Sequence, residues 1–301
     1  MLLLKTMLNI IGKRKIFLGI SGLLVIASIA LVGIFGLKQG IDFVGGTLWQ
    51  VKIEQEASVN DLRSFIKSDF NLQDFTITQE PTTQSFLLRM PETSEEVHNS
   101  YLEKLETKFG AIEELRFESI GPVIGQELRT NSIWAFILVL LTISLYVAFV
   151  FRKVSYPVSS WKYGIVTLLT LFHDALIPIG LTAYLGYTQG IEVGVNLVVA
   201  ILVVIGFSVH DTIVVLDRTR ENLHHQDRGQ SFAELVNTSV NQTLARSINT
   251  SLTLIFILVA MYFLGPASLS YFILIILLGT LIGTYSSICV ASSLIVAWQR
   301  E

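Results

Sequence analysis

Two aspartates lie deep inside long apolar runs, Asp174 within 163–185 and Asp211 within 194–216, and each directly follows a histidine, His173 and His210. Arg246 stands just ahead of a stretch from Ser247 to Gln299 that holds no charged residue, and Thr250 falls one helical turn further along the same face. Ionisable groups at membrane depth are costly, so each is a functional hypothesis. Asp211 is seven residues before Arg218, about 10 Å along a helix at 1.5 Å per residue. A carboxylate buried there without a partner costs several kcal/mol, so it needs a cation, a proton or a water channel. Carriage of a proton by Asp211, with Arg246 as counter-charge, meets that need. Asp174 and His210 are the candidates for a second protonation site. Other roles stand beside these. Arg246 can snorkel to the interface, and Asp174 can hydrogen-bond a neighbouring helix. Two His-Asp pairs also offer mixed nitrogen and oxygen metal ligands. Adjacent helical residues point about 100° apart, however, so one pair rarely serves one ion. Neither a metal nor a cofactor is expected.

These residues need a membrane around them, and the composition supplies one. Of 301 residues, 51% are hydrophobic and 15% charged, against about 25% charged in soluble domains, and mean hydropathy is +0.61. A pI near 6.0 argues against a nucleic-acid partner. The single cysteine, Cys289, excludes an internal disulfide and a thiolate cluster. Apolar runs at 16–37, 132–151, 163–185, 194–216, 247–264 and 269–297 predict six spans. The first outlasts a signal-peptide core and no small-x-small site follows it, so it reads as an anchor. Lys5, Lys13, Arg14, Lys15, Arg152, Lys153, Lys162, Arg218, Arg220, Arg228, Arg246 and Arg300 fall on one side of these spans, whereas loops 186–193 and 265–268 carry no lysine or arginine. Both termini are therefore expected to be cytoplasmic and residues 38–131 to lie outside. Trp134, Trp161 and Trp298 sit near span ends, where interfacial aromatics belong.

Three parts follow: 1–37 with the first span, the outer domain 38–131, and 132–301 with spans two to six. In the outer domain Trp49, Val51 and Ile53 alternate with polar residues as in a strand. Ser58 with Asp61 predicts a capped helix carrying Leu62, Phe65 and Ile66. Phe75 and Ile77, then Phe86, Leu88 and Met90, predict two strands. Thr93 with Glu96 opens a second helix with an apolar stripe of Val97, Tyr101, Leu105 and Phe109, and Leu115 with Phe117 marks a last strand. The order β-α-β-β-α-β predicts a small α+β ferredoxin-like domain. It contains no nucleophile-base pair, and His98 is expected to face solvent. Charge is sorted between the parts: residues 38–131 have 9 basic and 16 acidic residues, while the whole chain is only −3. Near 231–245, Phe232, Leu235, Val236 and Val240 predict a short amphipathic helix opened by Ser231 and Glu234, lying along the cytoplasmic interface. Asp217 and Glu221 are expected in the headgroups, and the Gly279-x-x-x-Gly283 spacing predicts close helix packing.

Longer motifs carry a resemblance. Gly40-Ile41-Asp42-Phe43-Val44-Gly45-Gly46-Thr47, just after the first span, resembles the signature of the SecD/SecF family. The run Asp211-Thr212-Ile213-Val214-Val215-Leu216-Asp217-Arg218, continuing through Arg220-Glu221-Asn222, is similar to the fourth span of its SecF members, and 241–251 to their entry into the fifth. Gly121-Pro122 with Gly125, and His173-Asp174, also fit. One small outer domain suits the SecF members, since SecD carries a larger one. The resemblance implies a polytopic α-helical protein of the bacterial inner membrane, six transmembrane helices plus a periplasmic domain, within the resistance-nodulation-division superfamily. It implies no enzyme activity. The partners it implies are SecD, the SecY-SecE-SecG channel, a YajC-type accessory protein, exported polypeptides and the lipid bilayer. It marks Asp211 as the titrating carboxyl, Arg246 as its partner and Thr250 nearby. Asp174 matches a family motif, and His210 departs from an asparagine common among relatives. Six spans are half of the superfamily's unit, so a partner is expected to supply the rest. Proton passage releases about 2.3 kcal/mol per 100 mV, whereas inverting a two-state equilibrium takes about 5.5 kcal/mol. That arithmetic leaves room for a second proton. Half of a small-molecule exporter of the same superfamily and a metal-dependent membrane enzyme are the alternative functions.

Overall fold

The computed structural model describes residues 7–54, 57–80, 84–153, 158–225 and 229–299. Lys5, Arg228 and Arg300, used above to orient the chain, lie outside the described residues. In chain order come α1 (Arg14–Phe35), α2 (Ile41–Val44), β1 (Gly46–Ile53), α3 (Val59–Asp69), β2 (Thr76–Glu80), β3 (Ser85–Met90), α4 (Glu95–Phe109), β4 (Ile112–Ile120) and α5 (Pro122–Val150). Then follow α6 (Ser160–Gln189), α7 (Val195–His224), α8 (Phe232–Leu264), α9 (Ser270–Tyr285), a π-helical segment (Ser286–Ala291) and α10 (Ser292–Trp298). The chain divides into two compact units, residues 39–133 and the remainder.

In the unit 39–133 the strands form one antiparallel sheet in the order β2-β3-β1-β4. This is the ferredoxin-like arrangement that the β-α-β-β-α-β order requires. Trp49, Val51 and Ile53 on β1, with Leu88 on β3, pack on Leu62 and Ile66 of α3 and Leu105 of α4. The α3 start is a complete capping box, Ser58 Oγ accepting from the Asp61 amide and Asp61 Oδ2 from the Ser58 amide, each at 3.2 Å. The Ser58 hydroxyl, donating to Oδ2 at 2.6 Å, and then the Ser58 amide hold the exposed Asp61 carboxyl below the usual carboxylate range.

The cap of α4 differs from expectation by one residue. Ser94 caps it, because the Thr93 amide is already committed to Thr47 Oγ1 (2.9 Å) and Ser119 Oγ (3.1 Å). Val97 is consequently exposed, and His98 is buried at 7% exposure, correcting its assignment to solvent. Its ring stacks on Phe117 at 3.7 Å and meets Trp49 edge-on at 4.9 Å. Glu114 Oε2 bonds both His98 Nε2 (2.6 Å) and Trp49 Nε1 (2.7 Å). A carboxylate between two ring N–H groups compensates their burial.

The segment 40–46 explains its own glycines. Gly45 and Gly46 have φ of +79° and +119°, a region that L side chains rarely adopt. A Cβ on Gly45 would sit 2.6 Å from Pro122 Cα, and one on Gly125 would sit 2.9 Å from the Gly45 nitrogen. The backbone entering β1 therefore lies against the first turn of α5, within reach only of residues without side chains.

The other unit contains six helices long and apolar enough to cross a membrane, counting α9, the π segment and α10 as one. The second begins at Pro122, about ten residues before its apolar run, since proline favours a first helical turn and the polar residues that follow also continue as helix. The helix expected near 231–245 is not separate. It is the start of α8, which runs unbroken for 33 residues from the Ser231–Glu234 capping box. Nothing in 246–250 breaks a helix, so it simply continues. Asn237 Oδ1 accepts from the Ile10 and Ile11 amides, and Asn241 exchanges two hydrogen bonds with the Leu8 backbone. On α6, Gly180 leaves space for Ser28 of α1.

Gly45→Ala is expected to destabilise the unit 39–133 by about 2 kcal/mol or more, combining positive-φ strain with a backbone clash. Thermal unfolding of the purified protein, with Gly33→Ala (open space around it) as control, measures this.

Candidate functional site

The apolar helices enclose a polar seam between α6, α7, α8 and the sixth span. Its position follows from close packing of α7 on α9. Gly279 lies against Val204, and Gly283 against Ser208, where an added Cβ would come within 3.0 Å of the serine Cβ. The Gly-x-x-x-Gly spacing thus does what was expected of it, and it brings Ser208 beside Asp174.

Asp174 on α6 is fully enclosed, at 0% exposure. Its Oδ1 is 2.8 Å from His173 Nδ1, and its Oδ2 accepts from Ser208 Oγ on α7 and from Ser286 Oγ (2.7 Å) on the π segment. His173 Nε2 is buried with no partner among the described residues.

Asp211 on α7 is nearly as enclosed, at 2% exposure, but loosely held. Its two polar contacts, Ser251 Oγ to Oδ2 and His210 Nδ1 to Oδ1, are both 3.4 Å. Behind Ser251 the seam continues: Thr284 Oγ1 is 2.6 Å from Ser251 Oγ, and Ser287 Oγ is 3.0 Å from the Thr284 carbonyl. Asp211 and Asp174 are therefore reached from the same stretch of the sixth span.

The remaining expected residues lie elsewhere. His210 points outward, its side chain 64% exposed. Arg246 and Thr250 are on an exposed face of α8, because the face turned inward carries Thr243, Ser247 and Ser251. Thr250 Oγ1 bonds the Arg246 carbonyl at 2.9 Å. Arg246 makes no ion pair among the described residues and is not paired with Asp211. It lines a groove of about 310 Å³ with Asp217, Arg218, Glu221 and Gln242. The two carboxylates there are occupied, Asp217 by Arg220 (2.6 Å) and Glu221 by Arg218 (2.5 Å). No three histidine, cysteine, aspartate or glutamate side chains converge among the described residues. Of the signature residues, Gly40 caps α2, Asp42 is in its first turn and Phe43 is buried. Thr47 Oγ1 bonds Ser119 Oγ at 2.8 Å.

Sequence reasoning did not find Ser208, Ser251, Thr284 and Ser286, nor the π segment. The available signal was the serine and threonine content of an otherwise apolar final span, including the pairs Ser286-Ser287 and Ser292-Ser293.

Comparison with known proteins places the chain as a whole. Residues 100–301 match the family described as protein export membrane protein SecD/SecF, C-terminal, and residues 30–57 match the SecD/SecF GG motif. The chain belongs to the SecD/SecF family. A relative from Thermobaculum terrenum named protein translocase subunit SecF is 43% identical, over 98% of this chain and 95% of its own. The Escherichia coli O157:H7 protein of that name is 35% identical over 92% of this chain and 83% of its own. The crystal structure of SecDF from Thermus thermophilus, a translocon-associated membrane protein, superposes with a TM-score of 0.83 at 35% identity. It matches all of this chain, which spans 40% of the SecDF chain. Membership of the SecD/SecF family and six apolar helices make this a multi-pass membrane protein. The GG motif coincides with the turn whose positive φ angles and contact with Pro122 exclude side chains.

Gly279→Leu forces a branched side chain into Val204, and overpacking of this kind costs about 1–3 kcal/mol. A lowered melting temperature in detergent, with Asp174 and Asp211 unaltered, is the expected outcome.

Proposed function

We propose that the chain is an accessory subunit of the Sec translocation machinery that uses the proton gradient to assist export of polypeptides. It works as the six-helix half of an assembly with SecD, beside the SecY-SecE-SecG channel and a YajC-type accessory protein. Both termini are cytoplasmic, residues 38–131 are periplasmic, and the membrane is the bacterial inner membrane. The role is mechanical rather than enzymatic. The names of the relatives and the 40% share of SecDF that the chain spans support the partnership.

One observation carries the proton reading: Asp211 is enclosed by α7, α8 and the sixth span, yet its two polar contacts are at the limit of hydrogen bonding. A carboxyl held this way can gain or lose a proton without breaking a strong bond network. Its charge state then alters how α7 and α8 attract one another. Arg246, one face away on α8 and without an ion pair among the described residues, is a positive charge that a rotation or shift of α8 brings toward Asp211. Thr250, one turn on, lies on the same face. His210, exposed beside Asp211, faces whatever covers α7 in the assembly and is the candidate for proton delivery. The unit 39–133, tied by the GG turn to the first turn of α5, receives the motion.

Asp211→Asn keeps the shape and removes titration. With the SecD partner and channel in vesicles, this variant is expected to lose gradient-dependent export and keep the gradient-independent level. Full gradient dependence in Asp211→Asn refutes the proton role. Arg246→Lys keeps the charge without the planar fork and is expected to retain part of the activity. Full activity in Arg246→Ala would return Arg246 to a snorkelling role.

A further inference from the structure

The two buried carboxyls are held in opposite ways. Asp211 has two contacts at 3.4 Å. Asp174 has three, from three elements: His173 on its own helix, Ser208 on α7 and Ser286 on the sixth span. A carrier must exchange its proton, whereas a carboxylate saturated with donors is part of the framework. Around Asp174 the ionisable groups on the packed elements are His173 on α6, His210 and Asp211 on α7, and Tyr285 and Cys289 in the sixth span. Of these, His173 alone is bonded to it among the described contacts. Tyr285 is engaged with Ser21 and the Phe17 carbonyl on α1.

The donor from the sixth span is also the first residue of the π segment. Single π turns inside α-helices recur at functional sites. Ser286 Oγ has one proton and two acceptors, Asp174 Oδ2 at 2.7 Å and its own Gly283 carbonyl at 3.0 Å. While the carboxylate is present the hydroxyl is drawn off its own helix. Without it the hydroxyl returns to its own backbone, the ordinary habit of a helical serine. The turn is then free to wind as α-helix, which rotates one side of the span by about 100° relative to the other.

That rotation matters because the residues beside the π segment reach Asp211. Ser287 Oγ bonds the Thr284 carbonyl, Thr284 Oγ1 bonds Ser251 Oγ, and Ser251 Oγ reaches Asp211 Oδ2. Ser251 can instead donate to the Ser247 carbonyl at 2.8 Å, and Thr284 to the Thr280 carbonyl at 2.8 Å. With one proton on each hydroxyl, the choice made at Thr284 limits the choice open to Ser251.

The geometry points to Asp174 as a positioning residue: it holds the π turn through Ser286 and Ser208, and through Thr284 and Ser251 sets the hydrogen bonding at Asp211, rather than carrying a second proton. This rests on the proton reading of Asp211. Six variants separate the two: Asp211→Asn, Asp174→Asn, Asp174→Ala, and Ser208→Ala and Ser286→Ala made singly and together. Gradient-driven export is followed as a function of external pH. Asp174→Ala and the double serine variant are expected to move the pH midpoint by about half to one unit, the effect of losing one net hydrogen bond. Asp174→Asn, whose carbonyl can still accept from both serines, is expected to restore the midpoint and most of the rate that Asp174→Ala loses. If Asp174→Asn loses gradient dependence as Asp211→Asn does, Asp174 is a carrier and the positioning role is overturned. An unchanged midpoint in the double serine variant also overturns it, and this variant serves where Asp174→Ala does not reach the membrane. Normal gradient dependence in Asp211→Asn removes the proton reading itself, whatever the Asp174 variants do.

Discussion

A carboxyl group inside a bilayer has no water to turn to, so its donors must come from neighbouring helices, and the helices must come close enough to deliver them. Much of the packing of the membrane unit follows from that requirement. Gly279 and Gly283 bring α9 against α7, and Ser208 is placed where that contact is tightest. The side chains of buried Ser208, Ser286 and Ser251 and of half-buried Thr284 are short, need little volume, and can each serve as donor and acceptor. Asp174 takes the strong share of this supply and Asp211 the weak one. The difference in hold, more than the depth, distinguishes the two aspartates. Both are below 3% exposed.

The unit 39–133 is built on other terms. Its sheet and two helices bury a conventional core around Trp49, Leu62, Ile66, Leu88 and Leu105. Inside it the polar cluster of His98, Glu114 and Trp49 is closed by a carboxylate shared between two rings. Within the same unit, the backbone of Gly45 packs on Pro122 and that of Gly125 on Gly45. Contacts between backbones without side chains are stiff, because there is no rotamer to absorb a displacement.

How far these features could be read from the residues depended on whether they are local. Six apolar runs and a β-α-β-β-α-β alternation are local patterns, and the structure has both. Small shifts along the chain were not readable. Thr93 and Ser94 can each cap a helix, and only the tertiary partners of the Thr93 amide decide between them. That single step turned His98 inward. Asp174 and Asp211 stood out because a charge in an apolar run is conspicuous, whereas a serine there is nearly neutral in hydropathy and usually bonds its own helix. Which neighbour Ser286 reaches is a property of three packed helices, and a π turn has no residue signature of its own. Arg246 illustrates the limit on the sequence side. Its place just ahead of an uncharged span is suggestive, but the face of α8 that turns inward is set by Thr243, Ser247 and Ser251, one residue over.

The clasp between Asn237, Asn241 and the backbone of residues 8–11 spans more than 220 positions of sequence. At about 5–20 residues per second of synthesis, the asparagines emerge roughly 10 to 50 s after the segment they hold. Throughout that interval α1 resides in the lipid without this fastening, and most of its surface is still exposed when the unit is complete. The fifth span thus adds a late fastening to a first span that already packs on the third through Gly180 and Ser28.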